Sequence, residues 1–132
     1  MTGTESFENP VSELHHALRA TRRRTVVSLL TNSEEATIPV RSLAREIAAE
    51  EHSIPTAAAS GEPYRNVYNA LSQTHLPTLS STGVIIYDPK RQKISAGPNL
   101  TVAYIIIEMT RPTVTLLFDQ PEQRMGEQIM TD

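Results

Sequence analysis

The stretch GEPYRNVYNALSQTHLPTLSSTGVIIYDPKRQKISA, residues 61–96, changes its hydrophobic period part-way along. At 100° per residue, Val67, Leu71, Thr74, His75 and Thr78 share a face, with Tyr68 and Leu79 at its margin. Arg65, Asn66, Asn69, Ser72 and Gln73 occupy the opposite face, which predicts an amphipathic helix over 62–81. Pro77 has no N–H to offer residue 73 and should bend that helix, and Gly83 should end it through a positive φ. Beyond Gly83 the period becomes two. Residues 84–87 and 93–96 read as strands joined by Asp88-Pro89-Lys90-Arg91-Gln92, a turn opened by Asp-Pro, so a β-hairpin with a basic tip is expected. Gly97-Pro98 closes the unit.

Upstream, Leu14, Ala17 and Leu18 predict a short helix over 12–19, and Val26, Leu29 and Leu30 a longer one over 21–31, with Thr21 as its N-cap. Thr37-Ile38-Pro39 reads as a short strand at a sheet edge, because Pro39 lacks an N–H. Leu43, Ala44, Ile47 and Ala48 form the stripe of a helix over 40–51, leaving Arg41, Arg45 and Glu46 outside it. Residues 52–61 are small and polar and read as a mobile loop.

Downstream, 99–118 is a second apolar block broken at Arg111-Pro112. Asn99 can cap a helix through Met109, whereas the β-branched run Ile105-Ile106-Ile107 serves equally in a strand. Helix is the favoured reading. The expected organisation is a flexible arm (1–11), one domain (12–98), a packing or dimerising element (99–118) and a polar tail (119–132). The expected class is α+β, mainly helical.

The chain has 132 residues and no cysteine, which excludes disulfides, thiolate metal sites and thiol catalysis. No apolar run is long enough to span a bilayer, and the N-terminal residues lack the pattern of a secretion signal, so a cytoplasmic protein without membrane partners is expected. Net charge is −3, but it is unevenly spread. Residues 63–105 carry Arg65, Lys90, Arg91 and Lys93 against Asp88 alone, or +3, between two flanks of −3 each. A local basic segment points to a local anionic partner better than the total does.

Helix, helix, short strand, helix, helix and a basic-tipped hairpin is the layout of a winged helix-turn-helix with a C-terminal apolar extension. Three segments carry a resemblance: Leu18-Arg19-Ala20-Thr21-Arg22-Arg23-Arg24 leading into Val27-Ser28-Leu29-Leu30, then Leu43-Ala44-Arg45-Glu46-Ile47-Ala48, then Val67-Tyr68-Asn69-Ala70-Leu71. With them go His75-Leu76-Pro77 and Leu79, then Gly83-Val84-Ile85 and Tyr87-Asp88-Pro89. Over residues 14–97 the chain resembles archaeal winged-helix DNA-binding regulators, closest to a haloarchaeal family of unassigned biological role. The resemblance implies sequence-specific binding of double-stranded DNA, transcription regulation, and association with the nucleoid. In such a fold a recognition helix enters the major groove. Arg65 can pair with guanine O6 and N7, and Asn66, Asn69 and Gln73 with adenine N6 and N7. Lys90, Arg91 and Lys93 of the wing suit phosphates or the minor groove, and Arg22, Arg23 and Arg41 could add backbone contacts. Dimeric regulators gain half-site spacing from symmetry, which makes Ile105, Ile106, Leu116, Leu117 and Phe118 the expected homodimer interface.

Blander readings accompany these residues. Arg22–Arg24 can pair with Glu13, Glu34 or Glu35 on a solvated face, and Asn66, Asn69 and Gln73 can be plain wet surface. His75 reads as a hydrogen-bonded core histidine, and Tyr64, Tyr68 and Tyr87 as packing residues. The main alternative function is a winged-helix protein-interaction module without DNA affinity. Single-stranded RNA binding is disfavoured because four Tyr, two Phe and no Trp offer few stacking platforms. His15 and His16 are adjacent and diverge on a helix, and no metal motif, phosphate loop or nucleophile elbow occurs. No enzyme, cofactor or metal is expected, and the sequence names no effector.

Overall fold

A computed structural model describes residues 11–114, with side chains described through Arg111. The proposed arm up to residue 10, the tail 119–132, and Leu116, Leu117 and Phe118 lie outside the described residues. Helix α1 covers 11–17, so Val11 belongs to a helix rather than to the expected arm. It stops at Ala17 instead of 19 because the chain turns there. The Arg24 guanidinium donates to the carbonyls of Leu18 and Arg19 at 2.9 and 2.6 Å, satisfying groups that a continuing helix would use. Helix α2, Thr21–Thr31, follows with Ala20 as its N-cap. Thr21 is therefore not the cap expected from its hydroxyl; its Oγ1 accepts a bond from Arg24 at 3.1 Å.

Strand β1 (Thr37–Pro39) leads directly into α3 (Val40–His52). Val40, Leu43, Ala44, Ile47, Ala48 and Ala49 of α3 are buried, the expected stripe with one residue added at each end. Ser53 at φ 55° turns the chain out of α3. The 52–61 segment is anchored rather than loose: it holds a 3₁₀ turn at Thr56–Ala58, and Ala59 is buried.

The long helix expected over 62–81 has three phases: α4 (Gly61–Ala70), a π-turn (Leu71–His75) and α5 (Leu76–Ser81). The Leu76 N–H bonds the Leu71 carbonyl, one residue further back than in an α-helix. Pro77 follows, within the first turn of α5, where a missing N–H is tolerated. The extra residue shifts the phase of everything after it. Val67, Leu71, Leu76 and Leu79 make the buried stripe, while Thr74 is exposed and His75 and Thr78 are only half-buried. A constant 100° step had placed Thr74, His75 and Thr78 inward.

Gly83, at φ 78°, ends α5, and the Val84 N–H returns to the Leu79 carbonyl at 3.0 Å. Strands β2 (Ile85–Asp88) and β3 (Lys93–Ala96) form the expected hairpin. The antiparallel sheet runs β1-β3-β2, so Pro39 does lie on an edge strand. Register pairs Ile38 and Tyr87 with Ile94, and Ile85 with Ala96. The buried Ile85 and Ile94 share the sheet's core side with half-buried Ile38 and Tyr87. At Gly97 a side chain has no room: a Cβ would clash with the Gly83 carbonyl oxygen.

Residues from Leu100 are helical. Helix α6 (Leu100–Val114) runs past Arg111-Pro112, where an interruption was expected. Asn99 does not cap it with its side chain; that amide donates to the Thr82 carbonyl at 2.9 Å. Leu100, Ala103 and Ile107 are buried and α6 packs on α2, which explains how β-branched residues are held helical: tertiary burial outweighs propensity. The result is a mainly helical α+β fold with a three-stranded antiparallel sheet, compatible with a winged-helix layout. Among the described residues, no helix is long and apolar enough to cross a membrane.

Candidate nucleic-acid interface

Arg65, Asn66, Asn69 and Gln73 are all exposed on the α4–π helix, opposite the buried Val67 and Leu71. Lys90, Arg91 and Lys93 are exposed on the hairpin. Gln92 joins these two groups. Its side-chain carbonyl accepts the Ser72 hydroxyl at 2.9 Å, and its amide donates to Tyr87 Oη and the Pro89 carbonyl at 2.8 and 2.9 Å. Its own carbonyl accepts the N–H of Val40, the first residue of α3, at 2.9 Å. Gln92 takes φ 52°, a left-handed conformation that costs a non-glycine residue energy and is held here by four hydrogen bonds. One residue thus fixes the hairpin turn against both the π-turn and the start of α3, the first through its side chain and the second through its backbone carbonyl.

Helical geometry extends that contact into a surface. Arg65 and Asn69 lie on the face of Ser72, about two turns and one turn before it. Arg41 follows Val40 directly and is exposed, as is Arg45 one turn later. The Arg45 guanidinium stands 5.7 Å from the centre of the Tyr64 ring, whose own centre is 5.9 Å from that of Tyr68. Burial pushes the Tyr68 phenol above its ordinary range; Tyr64 and Tyr87 add to this and Arg41 opposes it. Tyr64, Tyr68 and Tyr87 pack at the core margin, as packing residues should. The two ion pairs among the described residues are Arg22–Glu51 and Glu108–Arg111, so none of these exposed cations is neutralised that way. Asp88 turns its carboxylate onto the turn's own backbone, accepting the N–H groups of Lys90 and Arg91 at 3.2 Å each.

The model of a family described as a domain of unknown function (DUF7344) matches residues 15–95. The chain belongs to that family. The matched stretch ends one residue before β3 does, so the DUF7344 region holds Arg41, Arg45, the polar face of the α4–π helix and the hairpin turn, and leaves α6 outside. No curated protein and no solved structure matches the chain.

The arginine run behaves differently from the exposed set. Arg22 makes a two-pronged pair with Glu51 at 2.6 and 2.9 Å, not with Glu13, Glu34 or Glu35. That bond raises the Arg22 pKa and lowers the Glu51 pKa. Arg23 is 9% exposed, and Arg24 is spent on the α1–α2 corner. Arg22 and Arg23 are thus held by the fold, whereas Arg41 is open to a phosphate. His75 differs from the expected hydrogen-bonded core residue: it is half-buried, and its buried Nδ1 has no partner among the described residues. Burial, then Arg23 and Arg22, lower its pKa, while Glu51 opposes them.

Two residues escaped the sequence reading. Gln92 looked like turn filler, though a long amide after Lys-Arg was available to bridge. Arg45 had a usable signal: it follows Arg41 by four residues on the face outside the apolar stripe. Ile105 is 48% exposed on α6 and Ile106 is half-buried. Among the described residues no cluster could hold a metal ion.

Proposed function

We propose that the chain is a winged helix-turn-helix protein that binds duplex DNA sequence-specifically, and that it works as a dimeric transcription regulator at the nucleoid. The α4–π helix is the recognition helix and the β2–β3 hairpin the wing. The carrying observation is the Gln92 bridge, which sets a turn bearing Lys90, Arg91 and Lys93 beside the exposed Arg65–Asn69–Gln73 face. Arg65 reads guanine, Asn66, Asn69 and Gln73 read adenine, and Lys90, Arg91, Lys93 and Arg41 hold phosphates. The haloarchaeal resemblance supports the same reading for the whole DUF7344 region.

Val102, Ile105 and Met109 follow one another by three and four residues on α6, are 48%, 48% and 71% exposed, and support the homodimer. They equally favour the second reading, an interaction module that docks a different protein and binds no DNA. Selection of genomic fragments by the purified protein, repeated over a salt series, separates the two. An enriched motif with retention that falls as salt rises is expected. Absence of both defeats the DNA reading.

A further inference from the structure

Arg23 is nine-tenths buried on α2 and has no carboxylate partner among the described residues, whereas its neighbour Arg22 takes both oxygens of Glu51. Its Nε is fully covered and makes no hydrogen bond, and none of its nitrogens bonds an acceptor among the described residues. A guanidinium in that position is costly unless an anion answers it. Helix α3 packs against both α2 and the π-turn, and the Arg22–Glu51 pair ties α2 to the end of α3. His75 comes to the same junction from the π-turn. A proton on its buried, unpartnered Nδ1 would be an orphan donor, so the neutral ring carries its proton on Nε2. The charged and titratable groups that surround His75 are Arg22 and Arg23 from α2 and Glu51 from α3, with His52 beside Glu51.

We infer that Arg23 and His75 form a binding site for a small oxyanion of the phosphate class at the junction of α2, α3 and the π-turn. The Nη atoms of Arg23 and Nε2–H of His75 supply the donors, and Arg22 adds a positive field without giving up Glu51. The guanidinium fork matches a phosphate's oxygens, and the imidazole adds a charge when it protonates. Neither Arg23 nor His75 is among the residues assigned to base or phosphate contacts in the proposed function, so the site does not depend on the DNA reading. π-turns recur at functional positions in helices, and this one puts a ligand-responsive residue inside the helix carrying Asn69 and Gln73.

The test is a histidine NMR titration of the full chain with inorganic phosphate, against chloride at equal ionic strength. Sulfate serves for the pH series, because its charge is constant there. Saturable shifts confined to His75, with His15 and His16 unmoved, are expected. Sulfate should raise the His75 midpoint relative to chloride. Arg23→Met should weaken phosphate binding at least about tenfold. His75→Gln should weaken sulfate binding and remove its pH dependence. Adding a DNA duplex separates the sources. If phosphate and duplex bind together, the site serves a free anion; if they compete for His75, it serves a backbone phosphate. An equal His75 midpoint in sulfate and chloride, or like shifts at all the histidines, overturns the proposal, whether or not the variants fold.

Discussion

Two sets of arginines, 22–24 and 41 with 45, look alike as sequence and end in opposite circumstances. The first set lies on a helix that packs against α3 and α6: Arg22 pairs with Glu51, Arg23 is nine-tenths buried, and Arg24 holds the carbonyls of the α1–α2 corner. The second set stands one turn apart on the outer face of α3, open to solvent and without an acidic partner among the described residues. A run of three charges is more conspicuous than a pair at i, i+4, but the phase of the helix decides which stand on the open surface. The same lesson applies to the π-turn, where a single added residue exchanges the inward and outward positions.

The largest expected effect tests that phase. Leu76→Ala should cost about 2–5 kcal/mol of stability, as a buried leucine does, whereas Thr74→Ala should stay within about 0.5 kcal/mol. Urea denaturation of both variants checks this; similar costs would restore the uninterrupted helix. Next comes the reading face. Arg65→Ala should lose about 1–3 kcal/mol of discrimination at one base position, and Lys90→Ala should weaken all sequences alike and lower the salt slope by about 1. Neither should move the denaturation midpoint, which distinguishes surface groups from the committed arginines.

Acidity probes the committed set. The His75 pKa is lower in the folded protein than its ordinary value near 6.5, so the unfolded chain binds the extra proton. Its share of stability is complete above about pH 6.5 and is lost as pH falls from there towards the folded pKa. Glu51, also lowered, adds stability that persists above its unfolded pKa and is lost as pH falls through the folded one. Thermal midpoints measured from pH 7.5 downwards should show the histidine loss first, and His75→Gln should abolish that step alone. The smallest effect is Glu51→Gln. The pair is about one-third exposed, so its removal should cost no more than about 1 kcal/mol.

Much of the architecture was legible. The stripe of α3 follows from Leu43, Ala44, Ile47 and Ala48, and the hairpin follows from Gly83 and Asp88-Pro89, because local sterics and burial act there on consecutive residues. The π-turn was hidden by the assumption of a constant helical step, although the spacing of Val67, Leu71, Leu76 and Leu79 carried it. The fate of Arg22 depended on the end of α3, some thirty residues away, and no local pattern encodes that meeting. Gln92 was unreadable for the same reason: its bonds reach Ser72, Tyr87 and Val40 on three separate elements.

The central claim, that the hairpin turn and the helix beside it face a polyanion, is most directly tested by the salt dependence of duplex affinity. If Arg41, Lys90, Arg91 and Lys93 each neutralise one phosphate, log K should fall against log salt with a slope near −3.6 per protomer. The slope should drop to about −1.8 in a Lys90→Ala, Arg91→Ala double variant and stay unchanged in Arg22→Ala. A slope near zero for the unaltered protein, or a double variant with the full slope, would contradict the account.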